Sequence, residues 1–373
     1  MSRGITCPRC GLVQLAGPTC KSCGAALGGP ARPVGRPGVQ PAAIPAEGGK
    51  APRPPSGAPP EIRRLSFHGA GGSLFGIHVV NTFLTIVTLG VYYFWGKVRV
   101  RRYLFGQTEF EGDRFAFHGT GKELSLGTLK AVGIFLLPIL LLGNLPGILA
   151  LPWWVDILAG ILAYLLFLTF LPMAMVGARR YRLSRTSWRG IRFGFRGELT
   201  TFLKLFWMGG VLSALTFGLY YPFFETRQQA FFVENSRFGT QGFDFDGNGR
   251  ELFWSFLLTT LLLPFTFGLS WIWYLARKRR YFWEHTCVAE ARFRFPITGG
   301  KLLGLYLVNL LLLLFTLGLA WPWVVIRNAR FACRHLVLEG PLGLEAITQQ
   351  AGEASATGEG LAGILDTDLG LGV

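Results

Sequence analysis

Six stretches of the chain, roughly 73–96, 131–155, 157–178, 205–224, 252–276 and 302–326, contain no Asp, Glu, Lys or Arg. About 20 apolar residues in a helix cross the ~30 Å hydrocarbon core of a bilayer, and nothing else in the sequence limits the fold as much. The chain is 50% hydrophobic and only 16% charged, against about 25% charge in soluble domains. That composition weighs heavily against a purely soluble enzyme. A secreted disulfide scaffold is excluded, because 6 Cys in 373 residues are too sparse. The net charge of +16 suits either a nucleic acid or a membrane surface. Its cations, however, follow aromatic clusters at the ends of apolar runs. Tyr92-Tyr-Phe-Trp95 precedes Lys97, Arg99, Arg101 and Arg102, and Trp271-Ile-Trp273 precedes Arg277-Lys-Arg-Arg280. That is the signature of a membrane interface rather than of a base-stacking surface. The expected partner is the lipid bilayer, and no nucleic acid is expected. Met1–Leu15 has no apolar core of the kind a cleaved signal peptide needs, so none is expected.

From residue 65 the sequence repeats. An aromatic two-step recurs as Phe115-Ala-Phe117, Phe193-Gly-Phe195, Phe243-Asp-Phe245 and Phe293-Arg-Phe295, with Ser66-Phe67 opening the series. A second landmark recurs as Thr88-Leu-Gly, Thr216-Phe-Gly, Thr266-Phe-Gly and Thr316-Leu-Gly. The interval between landmarks is 21 residues in four copies and 52 from Phe117 to Thr169. That excess is about one membrane span plus a turn. The connecting segments alternate polar and aromatic residues, as in Thr108-Glu-Phe-Glu-Gly-Asp-Arg-Phe, which is hairpin chemistry with a turn at Gly112-Asp113. The fold class these patterns predict is membrane all-α: a multi-pass helical bundle of internal repeats about 50 residues long. Short β-hairpin linkers, pairing into a small sheet at the membrane face, join its helices.

Ahead of the repeats, Cys7-Pro-Arg-Cys10-Gly and Cys20-Lys-Ser-Cys23-Gly form two CxxC turns, each followed by Gly. Two such knuckles let Cys7, Cys10, Cys20 and Cys23 meet one tetrahedral Zn(II). Residues 1–27 are therefore expected to be a small zinc ribbon that folds around its metal, structural or docking in role because all four ligands are protein groups. Residues 28–64, rich in Pro, Gly and Ala, read as a disordered tether. The transmembrane domain spans 65–338, and 339–373 reads as a flexible acidic tail with no Lys or Arg.

Orientation strains this scheme. If each apolar stretch is one span, the basic linkers after the first, third and fifth lie in the cytoplasm, which leaves the N-terminus outside. Residues 1–64 carry nine Lys and Arg and a thiolate metal site, and translocating them is unfavourable. Two resolutions stay open: the first stretch breaks at Gly90 and is re-entrant, or every short copy turns back within the membrane.

Phe67-His-Gly-Ala-Gly-Gly-Ser-Leu-Phe-Gly-Ile, Val80-Asn-Thr-Phe-Leu-Thr and Phe94-Trp-Gly-Lys-Val-Arg-Val-Arg-Arg-Tyr103 together resemble the YjgN-type family. So do Thr108-Glu-Phe-Glu-Gly-Asp-Arg-Phe and Phe117-His-Gly-Thr-Gly, and the repeats extend the likeness to about residue 338. The resemblance implies a bacterial multi-pass inner-membrane protein, catalogued as a domain of unknown function, with no catalytic residues to carry over. The ribbon and tether look like additions to that core.

Candidate chemistry is sparse. Asn81 and Asn309 stand seven residues before their Thr landmarks, where they suit interhelical hydrogen bonds or, alternatively, a polar pathway. The Thr landmarks suit bonding back to their own helix, with Gly permitting a kink. His68 and His118 occupy equivalent places, His78 lies inside the first stretch, and Cys287 and Cys333 are isolated thiols. No nucleophile–base order, metalloprotease motif or phosphate loop supports an enzyme. The reading favoured by the sequence is a structural or scaffolding membrane protein that docks a protein partner through its zinc ribbon. The alternative is a transporter or channel for a neutral solute or lipid, neutral because the apolar stretches hold no charge.

Overall fold

The computed structural model describes Gly4–Thr6, Val13–Leu15, residues 61–343 and Ile347. The chain divides into two units, Met1–Ala58 and Pro59–Val373. In the first, strands β1 (Gly4–Thr6) and β2 (Val13–Leu15) pair antiparallel with Thr6 opposite Val13. The segment joining them carries Cys7 and Cys10. Cys7, Cys10, Cys20 and Cys23 themselves lie outside the described residues, as do the tether as far as residue 60 and nearly all of the acidic tail.

The second unit repeats one element order: strand, helix, turn, helix, strand. It opens with β3 (Ile62–Phe67), so the last residues assigned to the tether are strand. Helices α1 (Gly71–Val87) and α2 (Tyr93–Gly106) follow, then strands β4 (Thr108–Phe110) and β5 (Asp113–Phe117). Helix α3 (Gly121–Ala131) continues through a π-helical turn at Val132–Leu136 into α4 (Leu137–Ile148). Helix α5 (Trp153–Ser184) returns to β6 (Thr186–Trp188) and β7 (Ile191–Phe195). Next come α6 (Leu199–Leu215), α7 (Tyr221–Glu234), β8 (Ser236–Phe238) and β9 (Gln241–Phe245). Helices α8 (Gly249–Leu262) and α9 (Ser270–Glu284) lead to β10 (Thr286–Val288) and β11 (Ala291–Arg294). Helices α10 (Gly299–Phe315) and α11 (Trp321–His335) end at β12 (Val337–Glu339).

The ten strands β3 to β12 close into one antiparallel barrel, and this overturns the expectation of an all-α, multi-pass helical bundle. The linkers form more than a minor sheet because each two-residue turn reverses the chain tightly. Glu111 and Gly112, like Arg189 and Gly190, both take positive φ, which matches the right-handed twist of the flanking strands. Four such hairpins pair with one another, and β12 pairs with β3, with Leu338 opposite Arg63, to complete the circle. The first Phe of each aromatic two-step fills the barrel: Phe115 stacks on Phe193 at 6.3 Å and Phe243 on Phe293 at 6.4 Å. The second packs under the helices, as Phe195 does against Phe202 and Phe231.

Four of the six apolar stretches are likewise not single spans. Each breaks at its Thr landmark, where two successive residues take positive φ: Leu89 and Gly90, Phe217 and Gly218, Phe267 and Gly268, Leu317 and Gly318. The first residue of each pair, near φ +50°, sits in the small left-handed well open to residues with a Cβ, whereas the second, at φ +84° to +93°, lies beyond it and requires glycine. The Thr hydroxyl ties the turn together. Thr216 Oγ1 donates to Leu212 O at 2.7 Å and accepts from the Tyr220 amide at 3.0 Å, so one side chain bonds both helices of the hairpin. Thr88, Thr266 and Thr316 make the same pair of bonds. Among the described residues only Gly121–Ile148 and Trp153–Ser184 are long and apolar enough to cross a membrane.

Five helical hairpins thus stand on one barrel. The second helix of each touches the first of the next: α2 on α3, α5 on α6, α7 on α8, α9 on α10, and α11 on α1. A latch recurs across these seams. Arg102 donates to Gly119 O at 3.3 Å, Arg180 to Gly197 O at 2.9 Å and Arg330 to Gly69 O at 3.0 Å, the last joining the final hairpin to the first.

Candidate functional site

Within the ring of hairpins lies a cavity of about 990 Å³. Its wall on one side is apolar, with Ile86 on α1 and Leu310 and Leu313 on α10. Five cations also line it: Lys97 and Arg101 on α2, Arg179 and Arg182 on α5, and Arg279 on α9. A second chamber of about 280 Å³ continues into the barrel among Phe110, Trp188, Phe238 and Phe293. The two spaces share Arg179, Phe115, Phe193 and Trp283 in their walls. Leu342 and Ile347, past the last strand, line the chamber.

The cations converge because of register. Arg101, Arg179 and Arg279 each stand seven residues before the Thr that opens the next strand, Thr108, Thr186 and Thr286, and Gln229 stands seven before Ser236. The neighbouring Arg102 and Arg180 turn outward into the latches. Arg101, Arg179 and Arg279 stand short of the last turn of their helices; on α5 the last turn holds Arg182 instead. Lys97 and Arg101 are buried. Arg179 donates to Ser236 Oγ at a long 3.5 Å, and its Nε is buried without a hydrogen-bond partner.

Asn81 and Asn309 also line the cavity. Each ties the two helices of its hairpin: Asn81 Nδ2 donates to Gly96 O at 3.1 Å, and Asn309 Nδ2 donates to Asn328 Oδ1 at 2.8 Å. The Oδ1 of both is buried without a partner. His78 joins the lining. His68 and His118 sit at the barrel instead, His68 beside Glu109 at 3.0 Å and His118 beside Ser187 Oγ at 2.8 Å. The structure does not bring them together. Between α7 and α9, Glu225 accepts from Lys278 at 2.6 Å and from Tyr221 at 3.2 Å.

Sequence reasoning missed the arginines. It placed them at membrane-run ends and read them as interface anchors, so the pathway it allowed for was neutral. The signal was available in the shared offset of Arg101, Arg179 and Arg279 from the strand that follows each.

The family described as bacterial protein of unknown function, DUF898, matches most of this chain. Its profile matches residues 63–267 and 254–364, and the chain belongs to that family. The Inner membrane protein YjgN of Escherichia coli (strain K12) is 32% identical over 152 residues, covering 41% of this chain and 36% of the relative. That of Salmonella typhimurium (strain LT2) is 31% identical over 133 residues, covering 35% and 31%. The aligned region spans about a third of the length of these relatives. No solved structure matches.

Proposed function

We propose that the protein is a bacterial inner-membrane protein that binds an amphiphilic ligand in the cavity among its hairpins and passes it between the bilayer and the barrel, without chemical conversion. The observation that carries this reading is the cavity itself: about 990 Å³, with a mostly apolar lining that also holds five cations and Asn81 and Asn309, within the size range of ligand sites. In this reading the hairpins insert from the cytoplasmic side. Their tips support it, since Leu89, Phe217, Phe267 and Leu317 are each more than nine-tenths exposed. From Val79 to the tip at Leu89 a short hairpin presents about 15 Å of apolar helix, or half of a ~30 Å core. Only the hairpin of Gly121–Ile148 and Trp153–Ser184 crosses fully. All ten strands, and with them both ends of the domain, then stay on the cytoplasmic side. This removes the conflict between the basic linkers and the basic N-terminal region.

The test is extraction in mild detergent followed by native mass spectrometry. The expected result is one amphiphile retained per chain, and its loss in Ala329→Trp, which fills the barrel end of the cavity. An empty wild-type protein, or equal retention in an Ala329→Trp protein of unchanged melting temperature, would overturn the reading. A second role rests on a separate observation. Strands β1 and β2 bracket the first CxxC turn, which supports a zinc ribbon of Cys7, Cys10, Cys20 and Cys23 that docks a protein partner. Cys7→Ser with Cys20→Ser should release one zinc per chain, and unchanged bound metal would sink that role.

A further inference from the structure

The outer wall of the helical ring carries a second arginine register. Arg99 on α2, Arg227 on α7, Arg277 on α9 and Arg327 on α11 each stand nine residues after the tip glycine of their hairpin, Gly90, Gly218, Gly268 and Gly318. The residues two positions further on, Arg101, Gln229, Arg279 and Ala329, line the cavity or the chamber. Two positions are roughly 200° around a helix of 3.6 residues per turn, so the outer four face the other way, and none of them lines either space. All four are exposed. Among the described residues none of them makes an ion pair, and Arg227 alone meets a ring, that of Tyr220 at 5.8 Å. An aromatic residue one turn nearer the tip fixes this rotation. Trp95, Phe223, Trp273 and Trp323 stand four residues before the four arginines. Each covers the glycine that opens the next helix around the ring, Gly121, Gly249, Gly299 or Gly71, leaving no room there for a Cβ.

Depth gives this register its meaning. Nine residues measure about 14 Å along a helix, and one leaflet of a ~30 Å hydrocarbon core is about 15 Å thick. Tips at the bilayer midplane therefore put the four guanidinium groups at the phosphates of the leaflet that the hairpins enter. The exposed indoles of Trp273 and Trp323 then lie just inside those phosphates. Helix α5, in the hairpin long enough to cross, has buried Gly177 at the same register, nine residues before Thr186 as Arg99 is before Thr108. The cation thus belongs to the four hairpins that stop halfway. We propose that Arg99, Arg227, Arg277 and Arg327 bind lipid phosphates of the cytoplasmic leaflet and gather anionic phospholipid around the outer wall. The inference rests on the half-inserted reading of the short hairpins and names the lipid class at their surface. Guanidinium groups match phosphate oxygens in pairs. A zwitterionic headgroup offers the same phosphate but brings its own cation, so the preference for anionic lipid is electrostatic.

The experiment uses the full chain in vesicles of phosphatidylcholine with a minor fraction of phosphatidylglycerol, one lipid at a time carrying brominated acyl chains. Quenching of tryptophan emission, with Trp273 and Trp323 inside the belt, reports which lipid lies against the protein. The expected binding constant for phosphatidylglycerol is about fivefold that for phosphatidylcholine, the ratio set by about 1 kcal/mol per basic residue near an anionic surface. The preference should fall as salt is raised. It should vanish when Arg99, Arg227, Arg277 and Arg327 are all changed to Gln. Changing the same four to Lys should keep most of it, which separates loss of charge from loss of fold. A preference unmoved by the glutamine variant overturns the inference. So does a preference lost in Ala329→Trp, which would assign the anionic lipid to the cavity instead. Equal quenching by the two lipids in the unaltered chain overturns the arginine belt and leaves hairpin insertion standing. Quenching by neither lipid overturns insertion and belt together.

Discussion

Replacing Phe217 and Phe267 with Asp puts acid at the tips of two neighbouring hairpins. Both side chains are more than nine-tenths exposed to whatever surrounds the protein. If that surrounding is lipid, each Phe contributes about 1.5–3 kcal/mol of apolar transfer, and each Asp in hydrocarbon costs about 2.5–3.5 kcal/mol. The pair then shifts insertion of the two hairpins by roughly 8–13 kcal/mol, where about 1.4 kcal/mol already changes a population tenfold. The reporter is Leu215→Cys, two residues from the first tip and largely exposed on the protein itself. Reaction with a membrane-impermeant maleimide, read at residue 215 by peptide mass spectrometry, is expected to be slow in native membranes. It should reach the rate of a free thiol once the tips are acidic. Fast labelling with the native tips would refute insertion of this hairpin, because no protein contact shields the site. Slow labelling that persists with acidic tips would refute lipid as the shield.

Two further outcomes follow from the barrel. Leu338 is buried against Val288 and Ala291 where the first and last strands meet, so Leu338→Ala should lower unfolding free energy by about 2–5 kcal/mol, read from thermal melts in detergent, whereas Leu89→Ala at a tip should leave the melt unchanged. Burial, aided by Asp246, pushes the Cys287 thiol up while Arg292 pulls it down; less thiolate is present at pH 8, so alkylation in the folded protein should run slower than in denaturant, keep rising above pH 9, and slow further in Arg292→Gln. A rate that levels off below pH 8 would contradict that ordering.

Much of this was readable before any coordinates, and the parts that were not have a common cause. The apolar stretches, the Thr landmarks and the hairpin turns are local patterns, and Thr216 or Gly112 sits where its chemistry requires. What local pattern could not convey is how far a helix continues. A stretch such as 252–276 has the length of a span, yet Phe267 and Gly268 both adopt positive φ and fold it double. Nor does a strand of three residues announce a barrel. Thr186–Trp188 carries little signal alone, and becomes part of a sheet only because its neighbours lie side by side in space. The cationic cluster was hidden similarly: Arg101, Arg179 and Arg279 are 78 and 100 residues apart in sequence and meet only after the ring closes.

The pairing of β12 with β3 also dictates the order of events during synthesis. Residues 62 to 64 find their partners only when residues 337 to 339 have been made, so β3 carries an open edge throughout translation of everything between. An unpaired edge is a template for the wrong strand, and contacts this distant in sequence form late. Chaperone protection of the nascent chain should therefore be needed until the C-terminal strand emerges. The same geometry makes the position of the break in the ring arbitrary. A circularly permuted chain, joined between residues 339 and 62 by a two-residue turn and opened at Gly239, would keep every strand pair and move the waiting edge to β9.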